Sequence, residues 1–181
     1  MSTLKVSTIS PLGTDATKTI TIGSASNGDV AAGVFTNVPA FEAYLSATQT
    51  PTNNSDTKIQ FDTKRFDTDS YYDNSTNYRF TPLVAGRYLV YLKVYSYSQT
   101  ADSLNITAAK IYLNGSEYAR STFHPNGTAY EFTPVVVANI DMNGSSDYVE
   151  AYVNMGVSTG NPLVWNENNS SIFGAYRIIG A

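Results

Sequence analysis

The chain has no cysteine, a single histidine, a single tryptophan and few charges of either sign. Without cysteine there is no disulfide framework and no thiolate metal site. With His124 as the only histidine, a histidine-rich zinc centre is excluded and a Ser-His-Asp triad would rest on that one residue. It sits in the turn-like run Thr122-Phe123-His124-Pro125. No P-loop, Gly-x-Ser-x-Gly elbow or dinucleotide fingerprint occurs. The expectation is a protein without catalytic residues and without a cofactor.

Charged residues make up 14% of the sequence, well below the roughly 25% of an ordinary soluble domain. The formal net charge is −4, and basic residues form no cluster. Nucleic acid, whose phosphates demand grouped Lys and Arg, is therefore not an expected partner. No apolar run reaches the roughly 18 residues that a membrane-crossing helix needs, so no membrane insertion is expected. The opening residues lack the continuous apolar core of a secretory signal. The expectation is a chain not exported by a signal peptide, and its eight Asn-x-Ser/Thr sequons are read as products of Asn-, Ser- and Thr-rich turns.

What the chain has is tyrosine, 14 of them, with 8 phenylalanines. Residues 86–98 read Gly-Arg-Tyr-Leu-Val-Tyr-Leu-Lys-Val-Tyr-Ser-Tyr-Ser, a β-branched and aromatic run with no internal glycine or proline. It reads as a central strand. Alternation puts Tyr88, Val90, Leu92 and Val94 on one face and Leu89, Tyr91, Lys93, Tyr95 and Tyr97 on the other. The first set suits a core. The second is too apolar for plain solvent, and points to contact with another copy of the chain.

Further strands are expected over 41–47, 57–61, 78–80, 106–113, 117–123, 130–142, 147–155 and 172–179. Asn114-Gly115 is a strong hairpin signal, because both turn positions take positive φ. Asn143-Gly144 reads as a second Asn-Gly turn. No segment of helical length has helical periodicity. The fold class is therefore all-β, an antiparallel jelly-roll sandwich of about ten strands. Residues 1–40 are poor in aromatics and rich in Thr, Ser, Ala and Gly. They read as an extended β-prone anchoring arm ahead of a head domain over 41–181.

The order of motifs in the head carries a resemblance. Phe41-x-Ala43, Ile59-x-Phe61, Tyr78-Arg79-Phe80-Thr81-Pro82, Ala85-Gly86-Arg87-Tyr88-Leu89-Val90, Leu113-Asn114-Gly115, Asp147-x-Val149 and Phe173-Gly174 follow one another. Together they resemble the globular head of complement component 1q and the related tumour necrosis factor-like jelly rolls. Val90 stands where that family usually has an aromatic. The resemblance implies a tight homotrimer, and Tyr91, Tyr95, Tyr97, Tyr148 and Tyr152 are its expected interface, since tyrosine is enriched at interfaces. The opening Met-Ser-Thr-Leu-Lys-Val-x-x-Ile followed by a β-prone arm resembles virion proteins of tailed bacteriophages. It implies assembly into a larger viral particle, as capsid decoration or as a tail fibre, with the virion as its location.

Two loop regions carry possible ligand chemistry. Asp67, Asp69 and Asp73 cluster as calcium ligands do. An EF-type loop, however, needs Gly at its sixth position and Glu at its twelfth, and Tyr72 and Tyr78 stand there, so no metal is expected. Tyr71, Tyr72, Trp165 and Asn168 offer the flat rings and amide that a host-surface carbohydrate uses. A freestanding trimeric lectin-like module is the alternative to a virion role.

Overall fold

The structure is a computed structural model and describes residues 39–167 and 170–178. The anchoring arm expected over residues 1–40 lies almost wholly outside them, as does Asn168.

The described residues contain no α-helix. Alternation of apolar and polar residues, broken by Pro, Gly and Asn, gives fourteen strands. They are β1 (Ala40–Tyr44), β2 (Ser55–Lys58), β3 (Thr63–Asp67), β4 (Tyr72–Asp73), β5 (Arg79–Phe80), β6 (Gly86–Lys93) and β7 (Ser96–Ser98). There follow β8 (Leu104–Leu113), β9 (Ser116–Phe123), β10 (Glu131–Phe132), β11 (Val135–Met142), β12 (Val149–Val157), β13 (Pro162–Val164) and β14 (Ile172–Arg177). A five-stranded sheet runs β11-β6-β14-β1-β3. Facing it, a second sheet runs β4-β5-β12-β8-β9, with β2 also paired to β12. A small third sheet, β10-β7-β13, extends beyond the end of β6. All the strand pairs are antiparallel.

The core forms between the two large sheets. Tyr88, Val90, Leu92 and Val94 are all fully buried, as their alternation required. Phe41 of β1 is the centre of an aromatic cluster. Its ring lies 4.5 Å from Tyr72 and 4.6 Å from Phe80, both stacked, and 5.1 Å from Phe173, edge-on. Stacked and edge-on geometries both suit ring quadrupoles. Two buried phenols are satisfied by backbone: Tyr72 Oη donates to the Phe61 carbonyl at 3.0 Å, and Tyr88 Oη to the Val84 carbonyl at 2.7 Å.

Several of the fourteen strands are pieces of two or three residues, and two runs expected as single strands are each broken in two. Residues 86–98 do not form one strand: the chain leaves the five-stranded sheet after Lys93 and re-pairs as β7 with β10 and β13. Pro134 likewise interrupts residues 130–142, since it has no N–H to give a ladder. Asn143-Gly144 does turn the chain, with φ of 70° at Gly144, but it closes no hairpin. β11 pairs β6 while β12 pairs β8, so this connection crosses between sheets. Asn143 Oδ1 holds it by accepting the N–H groups of Ser145, Ser146 and Asp147 at 2.9–3.1 Å. Asn114-Gly115 does turn a hairpin, with φ of 52° and 79°.

Candidate functional site

Two surfaces stand out: a cleft at the small third sheet and the outer face of the five-stranded sheet. The cleft exists because alternation continues through the break after β6. Ser96 and Ser98 turn inward and are buried, with Ser96 Oγ 2.6 Å from Thr107 Oγ1. Tyr95 and Tyr97 therefore face out. Strand pairing sets Glu131 and Leu163 beside Tyr97. The backbone N–H of Trp165 donates to the Tyr95 carbonyl at 3.0 Å, which brings the indole over.

The ring centroids of Tyr97 and Trp165 are 4.9 Å apart at 84°, those of Tyr97 and Tyr130 5.0 Å apart at 89°. Tyr95 stands 6.4 Å from Trp165 at 78°. Glu131, Glu167 and Ser170 complete the lining of a hollow of about 450 Å³. The Tyr95 hydroxyl donates to the Glu131 carboxylate. That bond, with some burial and the charges of Glu131 and Glu167, pushes the phenol up to about 12.

The outer face of the five-stranded sheet is the second surface. Registers align Val137, Tyr91, Gly174, Glu42 and Phe66 in one row across all five strands. Val135, Val137, Phe66 and Tyr176 on this face are 52%, 55%, 44% and 37% exposed. At its middle the Tyr91 ring crosses Gly174, and its hydroxyl donates to Glu42 Oε2 at 2.7 Å. Arg65 pairs with the other oxygen of the same carboxylate, so the buried Glu42 has two partners. Burial, then the bond to Glu42, raises the Tyr91 phenol well above its ordinary 10.

The opposite sheet presents a different outer face. Asp56 accepts from Lys110 Nζ at 2.8 and 2.9 Å, from Tyr112 Oη at 2.6 Å and from Asn154 Nδ2 at 2.8 Å. Lys110 also pairs with Glu117 at 2.9 Å, and Lys58 with Glu150 at 2.5 Å. This face carries its own polar network.

The expected interface tyrosines are thus distributed over three places. Tyr91 lies on the outer face of the five-stranded sheet, and Tyr95 and Tyr97 line the cleft. Tyr148 and Tyr152 lie on the opposite sheet, where Arg79 sits 4.4 Å from the Tyr148 ring and Tyr112 stacks on Tyr152 at 4.1 Å. The structure does not bring all five together. Of the expected ligand residues, Trp165 is in the cleft. Tyr72 is corrected to core: it is 1% exposed and stacked on Phe41. Tyr71 lines a separate hollow with Asp73, Asn77 and Arg79.

The loop carboxylates are engaged apart from one another. Asp67 accepts the N–H groups of Tyr71 and Tyr72 and pairs with Lys64 at 2.8 Å. Asp69 accepts from the Thr68 hydroxyl at 2.5 Å. Asp73 accepts from the N–H groups of Ser75, Thr76 and Asn77 at 3.0 Å, which hold its carboxyl well below its ordinary range despite the opposing effect of partial burial. Among the described residues no three His, Cys, Asp or Glu side chains gather as a metal site would require. Tyr130 and Glu131 were not singled out in the sequence. The cross-strand pairing that sets Glu131 against Tyr97 is not written in local pattern.

Compared with known proteins, the chain matches no protein-family model and no curated protein. Its likeness is to solved structures. Eiger TNF from S. frugiperda matches with a TM-score of 0.56 at 12% identity, covering 78% of this chain and 93% of that one. Murine APRIL at pH 5.0 matches with a TM-score of 0.55 at 8% identity, covering 77% and 98%. These define the class: the chain has a TNF-like jelly-roll fold.

Proposed function

We propose that this chain is a non-enzymatic homotrimeric jelly-roll module, in which the outer face of the five-stranded sheet packs around a threefold axis. The single observation that carries the reading is the set of exposed apolar side chains on that face, Val135 and Val137 on β11, Tyr176 on β14 and Phe66 on β3. Exposed apolar side chains grouped on one face mark interaction sites when they form a patch. Five strands about 4.8 Å apart and five to eight residues long give a face on the order of 500 Å². That is more than half of the roughly 800 Å² that one partner contributes to a standard interface. The family resemblance of the motifs implies the same oligomer.

The wider role we propose is that of a virion component: residues 1–40 attach the head to a larger viral assembly, where it decorates a capsid or forms an appendage. This rests on the opening motif alone. The freestanding ligand-binding alternative is favoured by the aromatic cleft.

Native mass measurement tests the oligomer. A trimer at micromolar concentration is expected, and Val137→Asp should reduce it to a folded monomer. A wild-type monomer under those conditions overturns the trimer. Deleting residues 2–35 tests attachment. Loss of particle association with the trimer intact is expected; normal incorporation of the truncated chain overturns the anchoring role.

A further inference from the structure

We propose that the cleft formed by Tyr95, Tyr97, Tyr130, Trp165, Glu131 and Glu167 is a recognition site for an alkylated organic cation, of the quaternary-ammonium class. It does not depend on the trimer.

Three observations lead there. First, Trp165 and Tyr130 each stand nearly perpendicular to Tyr97, at 84° and 89°. Rings set at such angles offer π surface from more than one direction, which suits a roughly spherical group better than a flat one. A cation within about 6 Å of a ring centroid is held by the ring quadrupole, tryptophan being the strongest partner.

Second, the lining carries two carboxylates and no basic side chain. Among the described residues neither Glu131 nor Glu167 forms an ion pair, although Asp56, Asp67, Glu42, Glu117, Asp141 and Glu150 all do. Glu131 is oriented by the Tyr95 hydroxyl.

Third, two of the lining's hydroxyl donors are already committed. The Tyr95 hydroxyl is held by Glu131, and the Ser170 hydroxyl donates to the Trp165 carbonyl at 3.1 Å. A sugar needs donors as well as acceptors from its site. A cation with methyl substituents needs only acceptors, negative charge and π faces. The volume, about 450 Å³, lies in the range of small-ligand sites, roughly 300–1,000 Å³.

Trp165 is the only tryptophan in the chain, so its fluorescence reports on this cleft alone. The full-length protein is titrated with choline, with its uncharged carbon isostere dimethylbutanol, and with glucose. Choline should give a saturable change with a dissociation constant on the order of millimolar, a range set by a few exposed cation–π contacts. Dimethylbutanol and glucose should bind at least about tenfold more weakly, the factor that one lost charge contact carries. The double substitution Glu131→Gln with Glu167→Gln should weaken choline by a similar factor without changing the native mass. Absence of a saturable choline response, equal response to the neutral isostere, or preference for glucose overturns the proposal. So does a double variant that binds choline as the wild type does. If that variant changes the native mass instead, the cleft is covered by a second copy and the proposal also fails. Should the double variant not fold, the wild-type comparison of choline with its isostere decides alone.

Discussion

The Tyr91 phenol roofs Gly174 and ends on the Glu42 carboxylate, 2.7 Å away. A side chain of β6 thereby crosses β14 to reach β1. It ties together three strands of the five-stranded sheet, and leaves room at the middle strand for nothing larger than glycine. A Cβ at Gly174 would stand 2.3 Å from the Tyr91 ring and 2.9 Å from the Phe41 carbonyl oxygen.

Gly174→Ala should therefore displace Tyr91 and break its bond to Glu42, at a cost of about 1–3 kcal/mol. In a Tyr91→Ala background most of that cost should vanish. Urea denaturation of the four proteins in a double-mutant cycle measures the coupling. An unchanged cost in both backgrounds would assign the strain to the Phe41 carbonyl instead.

Tyr72 is core, so Tyr72→Ala should cost about 3–5 kcal/mol, the range for emptying a buried aromatic site. Tyr71→Ala, on a half-buried neighbour, should cost far less. Chemical denaturation midpoints compare the two. Near-equal effects would mean that the loop, not the core, holds Tyr72.

Asp56 gives a pH dependence with a defined sign. Burial alone would raise its carboxyl, but the hydrogen bonds from Lys110, Tyr112 and Asn154 and the charge of Lys110 outweigh it and hold the carboxyl at about 2, below its ordinary 3.8. A depressed carboxyl contributes stability that is present above the ordinary value and is lost as pH falls towards the lower one. Between about pH 4 and pH 2 the wild type should lose stability more steeply than Asp56→Asn. The group is substantially exposed, so the effect should be modest and should shrink in salt. Denaturation at a series of acid pH values, in low and high salt, reads both.

Gly115 holds φ of 79° in the hairpin between β8 and β9. Gly115→Val should cost about 1–2 kcal/mol, because a Cβ in that region meets the following carbonyl oxygen. Gly115→Asn should be better tolerated. Thermal unfolding ranks the two variants, and a valine that is neutral would mean the turn relaxes to another type.

Much of this was legible in the sequence where physics is local. Two-residue alternation put Tyr88, Val90, Leu92 and Val94 inside, and the Asn114-Gly115 pair turned its hairpin, because strand pleat and positive φ depend on a few adjacent residues. The absence of cysteine and the single histidine limited the chemistry without any coordinates. Pairing was decided elsewhere. Nothing near residue 143 says that β11 and β12 belong to opposite sheets, and nothing near Tyr72 distinguishes a loop aromatic from one stacked on Phe41, thirty-one positions earlier. The cleft is the clearest case. Tyr97, Glu131 and Trp165 meet because β7 changes partners after Lys93, a choice made by long-range strand pairing and burial between two whole sheets, which no short window of sequence contains.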